Sequence, residues 1–379
     1  MKTAQTIVRN QQPTVADFSD LASLNPNFVL AFGSVEALQR GANAIAQAFP
    51  SACRAGCSTA GEISQSGVED GALIVTAMKF DSCRVEQVSA TLANMEDSQA
   101  AGRRLAAALP IAGLRAILIF GQGVQINGSA VLAGMAEVVG PQIPITGGLA
   151  GDGGAFAQTW VLDAGGLSSN RLTCLGLYGA ALEFSHGSFG GWSPFGPARK
   201  VTRSENNVLY ELDGEPALQV YKRYLGEHAK GLPASGLLFP FAMLGSDHTE
   251  VGLIRTILGV DEVSGSLTLA GDIDPNGYLK LMHASTDALV GGAEVAAQAA
   301  KDMQSEAKPG LAVLVSCVGR KLVMGGRVEE EVEVVADVFG KGATITGFYS
   351  YGEISPVASA KECKLHNQTM TVTYISEAC

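Results

Sequence analysis

The sequence predicts a mixed α/β protein whose repeated strand–helix–strand units form mixed sheets in two modules. Three observations carry this reading. One order of elements recurs three times, the apolar runs are short and rich in Val, Ile and Leu, and two of the three copies end on the same four residues.

The first copy opens on Phe28-Val-Leu-Ala-Phe-Gly33. It continues through a segment whose apolar residues Val35, Leu38, Ala42, Ile45 and Phe49 recur at helical spacing, and it ends on Gly56-Cys-Ser-Thr-Ala-Gly61-Glu62-Ile63-Ser64. The second reads Ala116-Ile-Leu-Ile-Phe-Gly121, a helix carrying Leu132, Met135 and Val139, then Ile145-Thr-Gly-Gly148-Leu-Ala-Gly151-Asp152. The third reads Leu311-Ala-Val-Leu-Val-Ser-Cys317, a helix with Val328, Val332, Val335 and Phe339, then Gly347-Phe-Tyr-Ser-Tyr-Gly352-Glu353-Ile354-Ser355. The first and third endings keep the same glycine separation and share Gly-Glu-Ile-Ser, so Gly61 and Gly352 are expected to hold equivalent turns. Each unit is long enough for a crossover between parallel strands, and its continuous apolar strands suit a sheet covered by helices.

Runs of a second kind, at 71–80, 172–182, 265–271 and 370–375, read as further strands and antiparallel partners. The turn Glu211-Leu-Asp-Gly214-Glu-Pro216 precedes a fresh helix from Ala217, which places a boundary between modules 25–215 and 216–379. Two modules also suit a chain of 379 residues, beyond the size at which one core usually stops growing.

Hydrophobic residues make up 47% of the chain and charged ones 17%, a balance that fills a core and argues against extensive disorder. A net charge of −11 without a Lys/Arg run excludes nucleic acid and acidic membrane surfaces as expected partners. No leader-like start and no stretch near the roughly 18 apolar residues of a membrane span are present, so a cytoplasmic location is expected. The oligomeric state stays open, a homo-oligomer included. Cys53, Cys57, Cys83, Cys174, Cys317, Cys363 and Cys379 are scattered and odd in number, which predicts reduced thiols, and their spacing matches no zinc site.

The residues that could carry chemistry favour binding over reaction. Cys317 ends a strand close to Arg320, and Cys57 sits in a loop, yet neither has a histidine in its motif to act as a base; a small core residue is the simpler reading of each. Glu62 and Glu353 occupy equivalent repeat positions. They could form a carboxylate pair, or serve as caps or partners of an arginine such as Arg255 or Arg320. Ser58, Thr59, Thr146, Ser350 and Asn367 offer neutral donors and acceptors at strand ends, where open α/β sheets commonly hold ligands. Gly187-Ser-Phe-Gly-Gly191 lacks the lysine and the strand–helix context of a phosphate loop. No catalytic residue is assigned, and the chain is expected not to be an enzyme.

Gly-Cys-Ser-Thr-Ala-Gly-Glu-Ile from Gly56 and Pro144-Ile-Thr-Gly-Gly-Leu-Ala-Gly-Asp152 resemble the N-terminal module of the FIST family. Gly-Phe-Tyr-Ser-Tyr-Gly-Glu-Ile-Ser-Pro356, followed by His366-Asn-Gln-Thr369, resembles its C-terminal module. The resemblance spans nearly the whole chain, with the motifs in the family's order. It implies a sensory protein that binds a small ligand such as an amino acid and passes its signal to a separate histidine kinase, as in a two-component system, or to a cyclic-di-GMP enzyme. The segment from Ser185 to Leu225 is similar to the family branch that binds haem b and senses nitric oxide.

Among five histidines, His228 and His248 lie in polar settings, His366 belongs to the motif of the broad family, and His283 reads as an apolar core histidine. His186 is left as the expected axial ligand of the haem iron, with His283 in reserve. Phe189, Trp192 and Phe195 would wall the porphyrin together with Phe184, and Arg199 would pair with a propionate.

Overall fold

The computed structural model describes residues 1–9, 12–306, 308–357 and 362–378, so Cys379 lies outside the described residues. The apolar runs of the three units become buried strands that pair in parallel: Phe28–Gly33 with Cys53–Ser58, Leu114–Gly121 with Ile145–Leu149, and Gly310–Cys317 with Ala343–Ser350. Parallel neighbours require a crossover. The helices Val35–Ala48, Gly128–Val139 and Glu329–Phe339 lie in those crossovers. Two start on side-chain caps, Ser34 accepting from the Ala37 N–H at 3.2 Å and Asn127 from the Ala130 N–H at 3.0 Å.

Each parallel pair sits inside a six-stranded sheet, and the three sheets have one topology. Two antiparallel strands flank the pair on one side: Lys2–Arg9 and Ala72–Lys79, Arg84–Thr91 and Arg171–Tyr178, Leu182–Phe189 and Met370–Glu377. The other side is completed by a neighbouring unit. Val161–Asp163 and Gly166–Ser168, which follow the second ending, complete the first sheet. Gly352–Pro356 and Cys363–His366, which follow the third, complete the second, and Glu62–Ser64 with Gly67–Glu69, which follow the first, complete the third. The exchange is cyclic.

A glycine at one equivalent position makes each parallel pair possible. A Cβ on Gly56, Gly147 or Gly347 would lie 1.8, 1.9 or 1.9 Å from the carbonyl oxygen of Ala31, Ile119 or Leu314, so no side chain fits. The shared Gly-Glu-Ile-Ser glycines are less alike than expected. Gly61 takes φ +138°, whereas Gly352 lies in a strand, its would-be Cβ 2.9 Å from the Cδ1 methyl of Leu365.

The inner faces of the sheets meet in a central core where Phe32, Phe120 and Phe348 form a triangle with ring centroids 4.8 to 6.1 Å apart. The outer faces are covered by helices and give three further cores, one per unit. Beside the second crossover helix packs Ser98–Ala107, so closely that Gly102 and Gly134 each face the main chain of the other helix. Thr286–Asp302 plays that part in the third unit, its face lined by Ala293, Ala296, Ala297 and Ala300.

Between Leu182–Phe189 and Thr286–Asp302 the chain makes a fourth sheet of nine strands with its own core, covered by the helix Ala217–Leu225. It takes strands from both sides of residue 215, and Glu215–Pro216 is itself a short strand in it. The third sheet likewise joins Leu182–Phe189 to Met370–Glu377, and the second joins Ile145–Leu149 to Gly352–Pro356, so the modules are interleaved through three sheets.

Replacing Gly147 with Ala must displace the Ile119 carbonyl and strain a φ of +135°, and a loss of roughly 1–3 kcal/mol or more is expected. Gly291, on the helix Thr286–Asp302, has open space around its would-be Cβ, and there the same substitution should stabilise by roughly 0.5–1 kcal/mol. Urea unfolding of the two variants checks both signs.

Candidate functional site

The shared Glu-Ile-Ser endings are turns stapled by a buried carboxyl. Glu62 accepts from Thr59 Oγ1 and, at 2.9 Å, from the Ala72 N–H. Glu353 accepts from Ser350 Oγ at 2.8 Å and from Thr369 N–H and Oγ1 at 3.1 and 3.0 Å. Burial pushes Glu62 up to about 7 and Glu353 up to about 8, against these hydrogen bonds, which pull the other way. Neither carboxyl pairs with the arginines expected for it. Arg320 bonds to Glu331 at 2.8 Å, both side chains fully buried, and Arg255 bonds to main-chain carbonyls.

The hydroxyls expected to meet a ligand are mostly consumed in the same way. Ser58 donates to Gly151 O at 2.7 Å and accepts from the Trp160 N–H at 2.9 Å, while Thr59 and Ser350 hold the glutamates. Thr146 is fully buried with its hydroxyl unpartnered, as is the Asn367 side-chain oxygen. Cys57 and Cys317 are buried and burial raises both thiols, which fits small core residues.

The five residues expected around haem do not converge. His186 sits half-buried on Leu182–Phe189 opposite Thr373, held neutral by burial, which lowers it to about 4. Strand alternation sends Phe189, three residues on, to the other face, where it is 47% exposed. Phe195 packs against Phe239 beside the core of the fourth sheet, and Arg199 bonds to Asp213 at 3.0 Å and to the Tyr224 hydroxyl at 2.5 Å. A porphyrin ligated by His186 and walled by these side chains does not fit this arrangement. The reading of His283 as a core histidine is corrected: it is exposed at the end of the edge pairing with Ser193, its ring against Phe195.

Phe189 and Trp192 do meet, in a cleft of about 320 Å³ between the third unit and the fourth sheet. One wall is the run Ser188–Trp192, with the Trp192 indole N–H donating to Gln368 O at 2.7 Å. The opposite wall is Met243, Gly252, Leu253, Ile254 and Met282, with Glu250 at the exposed edge, and the floor is Val357, His366 and Thr369. Burial lowers His366 to about 4, so its ring is neutral. Its Nε2 lies 3.0 Å from Ser355 O and donates there, which leaves Nδ1 as an acceptor with no donor among the described residues. Arg320 braces the wall from behind through Gly190 O and Leu289 O.

The fourth-sheet residues of this cleft were not legible as site residues, because they come from strands with no motif. His366 was legible only as part of a motif. The pointer to it was the non-glycine Gln368, whose φ of +62° holds the turn that presents the floor.

A family model described as FIST N domain matches residues 27–215, and one described as FIST C domain matches residues 217–356. An uncharacterized protein of Methanocaldococcus jannaschii is 36% identical over 88 residues, 23% of this chain and 17% of that protein. One of Mycobacterium tuberculosis is 26% identical over 177 residues, 44% of this chain and 45% of that protein. These matches span less than half the length of either relative. Among solved structures, cyanuric acid hydrolase from A. caulinodans aligns over 100% of this chain and 99% of its own, at 10% identity and TM-score 0.33. A second cyanuric acid hydrolase structure aligns at 9% and 0.34. Against these two hydrolases the expectation that the chain is not an enzyme is withdrawn, and a likeness this slight assigns no activity. No helix among the described residues is long and apolar enough to cross a membrane.

The raised carboxyls make stability fall with pH. Both groups bind a proton in the fold at pH values where an ordinary carboxyl near 4.5 has lost it, so their contribution is complete below about 4.5 and is lost as pH rises through about 7 and 8. Glu353→Gln keeps the neutral shape and removes the titration. Thermal melts from pH 5 to pH 9 should show a shallower decline in this variant than in the wild type, and equal slopes would contradict the assignment.

Proposed function

Because the chain belongs to the FIST family, whose domains are generally small-ligand sensors, we propose that it senses a small metabolite carrying a protonated amine, an amino acid being the simplest, in the cleft between its third unit and its fourth sheet. The observation that carries the reading is the unused hydrogen-bonding capacity of that cleft. The indole N–H of Trp192 and the hydroxyl of Thr369 are already donated within the protein, and the side-chain groups left at the cleft are the Nδ1 of His366 and the Glu250 carboxylate, both acceptors, and the Ser188 hydroxyl, which accepts as well as donates. An ammonium supplies donors to a site in which acceptors predominate, and the faces of Trp192 and Phe189 add cation–π attraction.

Haem is not part of this proposal, since the side chains expected to hold it lie apart. The partner class implied by the family resemblance, a histidine kinase or a cyclic-di-GMP enzyme, belongs to it, as does a cytoplasmic location.

Thermal melting against a panel of amino acids and simple amines tests the reading. At least one should raise the melting temperature, its N-acetylated form should not, and Glu250→Gln or Trp192→Ala should weaken binding about tenfold or more. If amines and their N-acetylated counterparts act alike, or if both variants bind unchanged, the cleft is not an amine site.

A further inference from the structure

A second cavity lies on the other side of the strand Glu250–Arg255, sharing Leu253 with the cleft just described. It encloses about 370 Å³ between the helix Gly128–Val139 and the strands Glu250–Arg255 and Cys363–His366. Its surface is apolar over most of its extent, through Leu132, Ile143, Ile145, Leu253 and Leu365. Into this surface is set one guanidinium, that of Arg255, only 3% exposed.

Arg255 has no hydrogen-bonded carboxylate among the described residues. Its Nε donates to Asp272 O at 3.0 Å, and its Nη1 to Ile254 O and Leu365 O at 3.2 Å each. These are main-chain carbonyls, which fix the side chain without neutralising it, and Nη2 has no acceptor among the described residues. A buried cation left uncompensated is costly, and burial lowers Arg255 to about 10, still protonated at neutral pH. The other charges at the cavity offset this only in part, Asp272 acting on Arg255 through space without a hydrogen bond. The half-exposed Asp272 carboxylate accepts from Asn127 Nδ2 at 3.2 Å and forms no ion pair with Arg255, and Glu362 pairs with Lys364 at the rim at 2.8 Å.

We infer that this cavity is a binding site for an amphiphilic carboxylate, its head group on Arg255 and its hydrocarbon tail against Leu132, Ile143, Ile145 and Leu253. The two halves of such a ligand match the two features of the cavity. A carboxylate gives Nη2 a charged acceptor where a neutral group could give only a weak one, and the tail removes the apolar wall from water. A fully polar anion would leave the wall wet, and an alcohol of the same length would leave Nη2 without a charged acceptor. Asp272 lies near enough to oppose an anion, so it sets the affinity without excluding the ligand.

Isothermal titration of the full chain with octanoate, octan-1-ol and octylamine, each below its micellar concentration, tests this. Octanoate should bind at one saturable site, with octanol at least tenfold weaker and octylamine not bound. Arg255 holds three main-chain carbonyls, so Arg255→Gln can fail to fold, and two gentler variants carry the test. Ala136→Phe, which fills the cavity from the half-exposed side of its helix, should lower octanoate affinity at least tenfold. Asp272→Asn, which removes the opposing charge and keeps the Asn127 contact, should raise it several-fold. Absence of saturable octanoate binding, equal binding of octanol, or unchanged affinity in both variants would overturn the inference. Because neither substitution touches the amine cleft, failure here leaves that reading intact.

Discussion

Three equivalent main-chain hydrogen bonds close the molecule on itself. The Ala60 N–H donates to Tyr349 O, the Gly151 N–H to Ser58 O, and the Tyr351 N–H to Leu149 O, at 2.8, 2.8 and 3.1 Å. Each runs from the turn that ends one unit to the C-terminal end of a strand of another, so the turns form a ring in which every unit depends on the next. A unit alone would leave the free edge of its parallel pair with unpaired N–H and C=O groups, and the strand that satisfies that edge always comes from elsewhere. Folding is therefore expected to be cooperative across the whole chain, with no unit able to complete its own sheet.

The ring explains where carboxyl groups can be buried. A turn that leaves one sheet for another must satisfy donors away from water, and Glu62 and Glu353 do this from equivalent positions, each gathering a hydroxyl three residues upstream and a main-chain N–H from a distant segment. The second ending has no glutamate there. Asp152 takes its place and gathers the N–H groups of Phe156, Ala157 and Gln158 together with the Tyr351 hydroxyl. The sequence difference between the endings is thus a difference in how the departing strand is held, within one fold.

Much of this architecture was legible in the sequence, and what escaped it did so for physical reasons. The parallel pairs of Val, Ile and Leu residues, the crossover helices and the matching roles of Glu62 and Glu353 depend on local pattern, and each is present, although Gly61 and Gly352 differ. The exchange of strands was hidden, because Glu62–Ser64 and Gly352–Pro356 read identically whichever sheet they join, and only tertiary packing decides the partner. The aromatic cluster around His186 failed for a related reason. Nearness in sequence was taken for nearness in space, while strand alternation and the departure of the chain into the fourth sheet send Phe189 and Phe195 to separate surroundings. His366 was set aside as a mark of the broad family, yet a motif shared by many relatives is where a common ligand wall is to be expected.

The fourth sheet gives this otherwise closed cycle its asymmetry. It enters after Leu182–Phe189 and returns before Thr286–Asp302, so both of its connections belong to the third unit, and cavities open where it leans back on the cycle. Its strand Glu250–Arg255 lies between them, with Leu253 lining both, Ile254 facing the cleft and Arg255 the second cavity. A ligand in either place touches the rigid cycle on one side and the inserted sheet on the other. Its binding energy can then favour one seating of the sheet over another, which is the differential contact that any conformational signal requires. The buried Arg320–Glu331 pair fixes the near side of that seam, since Arg320 reaches Gly190 at the cleft wall and Leu289 at the returning helix. The edge strand Glu250–Arg255 has no such anchor until Arg255, which makes it the element best placed to respond to a ligand.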